Sequence, residues 1–160
     1  MSVVSNSRPF AAVASGFSLV EALVSLVVIS VGMIGIAALY GQGLNAGSNA
    51  LYRTVAVNLA ADMADRIRVN RTAGMAYEGV PANNHCDPEH PPVASCTPAE
   101  LAVHDRFAWN ERLAAELPNP TGTVAYDGGT TPPTFRIDVT WQEPGLNPVT
   151  YTSTLQLPAF

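Results

Sequence analysis

The side chains of this 160-residue sequence that are suited to chemistry fall in three places. The densest surrounds the cysteines. His85, Cys86, Asp87, Glu89 and His90 crowd together, and Cys96 follows with nine residues between it and Cys86. Such a set offers enough ligands for a divalent metal, yet it contains no C-x-x-C pair and no histidine pair at helical spacing. A Cys86–Cys96 disulfide is the favoured expectation, with a metal site and free thiols as alternatives, so no metal ligand is assigned. The second place is Asp105, a carboxylate on the apolar stripe of an expected helix. No second acid, histidine or nucleophile stands at a partner spacing, and a buried structural hydrogen bond is expected there. His104 beside it is expected to be an exposed helix residue. The third place is Glu21, at the lip of a long apolar run. A carboxylate there is functional by default, although a first-turn Glu is also favoured by the helix dipole. Lysine is absent and all eight basic residues are arginine, which excludes lysine chemistry. Phosphate loops, G-x-S-x-G and paired metal motifs are missing, so no catalytic residue and no cofactor is assigned.

The elements that must carry these residues follow from an uneven composition. The chain is 48% hydrophobic and 13% charged, about half the charge of an ordinary soluble domain. From Ala22 to Tyr52 there is no Asp, Glu, Lys or Arg, whereas the 108 residues from Arg53 onward carry seven arginines and twelve acids. A formal charge of −5 gives no electrostatic reason to bind nucleic acid. Proline is absent from 10 to 80, while twelve of the thirteen prolines lie from Pro81 onward. One long helix fits the first region; loops, a short helix and strands fit the second. Ala22 to Gly41 is a run of 20 uncharged residues, about 30 Å as a helix, matching the hydrocarbon thickness of a bilayer. It is long for an ordinary secretory signal, although Gly35-Ile36-Ala37 could serve as a poor cut site that would start the mature chain at Ala38. A plain uncleaved signal anchor is one alternative; processing in front of the run is another.

Gly16-Phe17-Ser18-Leu19-Val20-Glu21 immediately precedes the span. This stretch closely resembles the type IV prepilin signature: a short polar leader ending in Gly, then Phe, three mostly apolar residues, a Glu and a long apolar helix. The resemblance implies cleavage by prepilin peptidase between Gly16 and Phe17, N-methylation at Phe17, and Glu21 as the fifth mature residue. It also implies that Glu21 pairs with the α-amine of a neighbouring subunit. Opposite charges brought together in a low dielectric offset much of their desolvation.

From Leu51 the apolar pattern becomes amphipathic. Tyr52, Val55, Leu59, Met63 and Ile67 step by three or four, with Arg53, Asn58, Asp62, Asp65, Arg66 and Arg68 elsewhere. A helix from Phe17 to about Asn70 would be roughly 80 Å long. Gly32, Gly35, Gly41, Gly43 and Gly47 lie along it, leaving open close helix–helix approach or local unwinding. Thr97-Pro98-Ala99-Glu100 is a capping box with Pro at the first helical position. It opens a second helix striped by Leu101, Ala102, Ala108, Trp109, Leu113 and Leu117 and ended by Pro118. The helix end from Asp62 to Arg71 and the stretch from Thr97 to Gly122 resemble the type IV pilus modification protein PilV family. Phe135, Ile137, Val139 and Trp141 alternate with polar residues, as do Val149, Tyr151, Ser153, Leu155 and Leu157. With a third short strand over Thr123 to Tyr126, they imply an antiparallel sheet with one face on the helix.

The expected fold is therefore α+β and type IV pilin-like. A long N-terminal helix, half membrane and half amphipathic, packs on a small antiparallel sheet with one further short helix. The expected organisation is a cleaved leader over 1–16, a transmembrane and assembly helix over 17–50, and a periplasmic domain over 51–160. The resemblance implies a minor pilin in the inner membrane, later in the pilus, with prepilin peptidase, other minor pilins, the major pilin and membrane lipid as partners. A type II secretion pseudopilin, or a membrane-anchored periplasmic binding protein or enzyme, are the alternatives.

Overall fold

A computed structural model describes residues 16–86 and 95–157. The chain divides into two units, with the boundary between Gly43 and Leu44. One helix, α1 (Leu19–Val69), runs through the whole apolar region and the amphipathic region after it. It is unbroken at all five glycines, and space is open around each of their Cα positions. In the unit that ends at Gly43, the helix side chains are exposed all round.

The unit from Leu44 holds the hydrophobic core. The face of α1 that it buries contains Ala56, Leu59, Ala60, Met63, Ala64 and Ile67. The three alanines had no place in the expected stripe; they widen the face and allow close packing beside Leu59 and Met63. After α1 comes a 3₁₀ segment, Arg71–Glu78, kinked at Gly74, where φ is 51° and ψ is −123°. That backbone region is open to glycine at no steric cost. The segment delivers Tyr77 into the core, fully buried, with its ring edge-on to Phe135 at 6.2 Å. Helix α2 (Pro98–Glu116) starts where the capping box places it. Thr97 Oγ1 accepts from the Glu100 N–H, and Glu100 Oε2 accepts from the Thr97 N–H.

The sheet is three antiparallel strands in the order β1 (Thr121–Asp127), β2 (Thr134–Trp141) and β3 (Val149–Gln156). Thr121 pairs with Thr140 across the first ladder, and Phe135 with Leu155 across the second. Phe135, Ile137, Val139 and Trp141 all face the core, as their alternation requires. Asp127 Oδ1 accepts from the Gly129 N–H at 2.9 Å, shaping the turn after β1. Trp109 ties α2 to α1 by donating its indole N–H to the Leu59 carbonyl at 2.8 Å.

His104 departs from the expectation of exposure. It is 7% exposed and lies against Phe107, the rings stacked at 6.5 Å. The chain after α1 runs along this flank of α2: the Ala82 N–H reaches the Val103 carbonyl, and Asn84 donates to the Glu100 carbonyl one turn before His104. A second flank of α2 is thereby covered, which a single apolar stripe does not reveal.

Candidate functional site

The site expected from sequence lies at the start of α1. Gly16, Phe17 and Ser18 are outside regular structure, and the helix begins two residues after Phe17, at Leu19. The Ser18 carbonyl accepts the Ala22 N–H at 3.1 Å, closing the first helical turn. Phe17 is 76% exposed, and among the described residues nothing lies within 4 Å of where a Cβ on Gly16 would stand. Glu21 is exposed in the first turn of α1 and is its first charged residue; Arg53 is the next. A carboxylate there complements the unsatisfied N–H groups of the helix start.

Beyond it the helix is a continuous apolar surface. Leu23, Val27, Ile34 and Leu39 are each more than half exposed. The helix passes the length and composition test for a membrane span. A surface of this extent demands cover by lipid or by other apolar helices, because water-exposed patches of this kind mark interaction sites.

Cys86 and Cys96 are joined in a disulfide, with Cα atoms 6.0 Å apart. It links the chain after the 3₁₀ segment to the residue just before the Thr97 cap. Asp87, Glu89 and His90, the other members of the possible metal set, lie outside the described residues. Among the described residues no group of three metal-ligating side chains comes together.

Asp105 is 8% exposed and serves as a structural acceptor. Arg66 Nη1 donates to its Oδ1 at 2.8 Å, and the Tyr77 hydroxyl lies 3.1 Å from its Oδ2. Burial, with the Asp105 charge beside it, pushes the Tyr77 phenol well above its ordinary value. Burial alone would lower Arg66, but its bonds to Asp105 and Asp62 outweigh that and raise it. Asp62 also receives Arg112 at 3.1 Å, so Asp62 joins the basic side chains of two helices. The cluster ties α1, α2 and the 3₁₀ segment together.

One ion pair has no counterpart among the expectations. Glu143, just past β2, is fully buried and takes two bonds from Arg53 of α1, at 2.9 and 3.1 Å. Those bonds hold its carboxyl below the usual carboxylate range. A signal for it exists: Glu143 continues the odd-numbered parity of Phe135 to Trp141, so it points into the core and needs a cation. Which cation answers, 90 residues earlier, is not legible in the pattern.

Two family models match, and their stretches abut. The prokaryotic N-terminal methylation motif matches residues 12–37, and the type IV pilin Tt1218 (Tt1218-like) model matches residues 38–107. The chain belongs to the type IV pilins. Its long helix, second helix and three-stranded antiparallel sheet are the α+β pilin architecture. None of the curated proteins and none of the solved structures matches this pilin. Pilins are structural proteins, and membership implies processing by prepilin peptidase and assembly with other pilins. A type IV pilin carrying the N-methylation motif is a component of a pilus or pseudopilus.

Proposed function

We propose that this pilin is a minor pilin of the PilV kind, made as a prepilin and cut between Gly16 and Phe17. Its exposed apolar helix first holds it in the inner membrane with the unit from Leu44 in the periplasm. The same helix then packs among those of other minor pilins and the major pilin, in a priming complex or filament serving motility or adhesion. Glu21 pairs with the methylated α-amine of a neighbouring Phe17, so that neither charge stays alone among apolar helices. The observation that carries the reading is the Gly16-Phe17…Glu21 spacing directly ahead of an uncharged, exposed stretch of α1 over residues 22–41.

Amino-terminal sequencing and intact mass of the mature chain test it. Methylated Phe17 as first residue is expected. An intact Met1, or a start at Ala38, would overturn the reading. A pseudopilin of type II secretion shares the motif, and a deletion strain separates the two: loss of twitching and surface pili is expected, whereas loss of protein secretion instead would reassign the chain.

A further inference from the structure

Few polar side chains interrupt the uncharged run of α1, and their placement is uneven. Between Ala22 and Gly41 they are Ser25, Ser30 and Tyr40. Ser25 Oγ donates to the Glu21 carbonyl and Ser30 Oγ to the Leu26 carbonyl, both at 2.7 Å. Each hydroxyl is thus satisfied by its own helix, as a polar group facing hydrocarbon must be. Neither serine calls for a polar partner on another chain. Tyr40 is different. Its hydroxyl stands at the far end of a rigid ring, out of reach of its own backbone, and the residue is 71% exposed. Such a side chain fits a boundary where the ring lies among apolar groups while the hydroxyl meets water or headgroups.

The spacing to the other polar marker fits that boundary. Glu21 and Tyr40 are 19 residues apart, about 29 Å at 1.5 Å per residue. A bilayer's hydrocarbon core is about 30 Å thick. Sliding the helix one way draws the Glu21 carboxylate toward hydrocarbon, where a charge is expensive. Sliding it the other way buries the Tyr40 hydroxyl, which has no partner there. Gln42 follows close behind, but its long, flexible chain can reach back to the headgroups and yields where the rigid tyrosine does not. One depth satisfies both ends of the run.

We propose that Tyr40 sets the depth of this chain in a phospholipid bilayer, its hydroxyl in the headgroup layer of one face and Glu21 at the other. Depth has meaning only if α1 is a membrane helix, so the proposal rests on that reading. The test places the full chain in vesicles of phosphatidylcholine and phosphatidylglycerol. These carry nitroxide-labelled lipid, with the label either near the headgroup or near the bilayer centre. Tryptophan fluorescence is read from Val31→Trp, midway along the run, and separately from Tyr40→Trp. Emission from Trp109 and Trp141, both buried in the core, is measured on the parent chain and subtracted. The deep label should quench Val31→Trp several-fold more than the shallow one, and the order should reverse for Tyr40→Trp. No quenching of Val31→Trp by either label would remove the membrane reading and the proposal together. If Val31→Trp is quenched from the centre while Tyr40→Trp is quenched equally deep or not at all, the membrane reading stands and the depth is wrong. A last pair reads Ile36→Trp with and without Tyr40→Ala. Loss of the ring should let the run sink, raising the share of deep quenching at Ile36→Trp. An unchanged share would mean that Tyr40 marks the boundary without setting it, which overturns the proposal. All three positions lie outside the buried core, so the melts should match the parent's.

Discussion

Three residues state the physics of this pilin most sharply. Glu21 is the one charge on α1 before Arg53, and on our reading it acts on a neighbouring subunit. Glu21→Ala should leave cleavage after Gly16 largely intact while impairing incorporation into sheared pili, measured by immunoblot; normal incorporation would remove the role assigned to it. Gly122 is fixed by space. A Cβ there would stand 2.4 Å from both Leu113 Cδ1 and Trp109 Cζ3. Trp109 cannot yield easily, since its indole is bonded to Leu59, so Gly122→Ala should destabilise by about 1–3 kcal/mol in denaturant melts. Glu143 is held below its ordinary value of 4.5 by Arg53. A carboxyl lowered on folding contributes stability above its unfolded value and loses it as pH falls through the folded one. Melting temperature should therefore drop as pH falls below about 4.5, and Glu143→Gln should flatten that acid limb while lowering stability at neutral pH.

At the scale of elements, the parts that local physics dictates were legible. The capping box starts α2 where Thr97 and Glu100 say it should, and the alternation from Phe135 to Trp141 gives β2 with its buried face. The 3₁₀ segment was not legible. Arg71 to Glu78 shows neither helical nor strand period, and its one strong requirement, the positive φ of Gly74, is invisible in a lone glycine. With it went the burial of His104, because the chain leaving that segment covers a second flank of α2. The disulfide works at this scale as well, tying that chain to the cap of α2. Replacing Cys86 and Cys96 together by Ser should cost roughly 2–3 kcal/mol by the loop-closure argument, measured by denaturant unfolding. A native chain that gains no two mass units on reduction would contradict the bond itself.

For the whole molecule, charge and burial divide along the same line. Among the described residues, the eighteen buried hydrophobic ones, Ala56 to Leu157, all lie in the unit from Leu44, and the unit ending at Gly43 contributes none. A chain begun at Leu44 should therefore keep a cooperative melt and helix-plus-sheet circular dichroism, while losing partition into detergent or vesicles. A non-cooperative melt would mean that the apolar helix supports the fold as well as assembly.

The amino-acid sequence by itself determined the uncharged span, the Gly16-Phe17…Glu21 motif, the two helices, the strands and the candidate cysteine pair. Each depends on neighbours within a few residues or on a simple period. Tertiary structure alone decided which cation meets Glu143, that Asp105 gathers Arg66 and Tyr77, and that His104 is buried. Those outcomes join residues up to 90 positions apart, and a one-dimensional pattern carries no term for separations of that size. It can show that a buried carboxylate needs a partner; only the packed chain selects one.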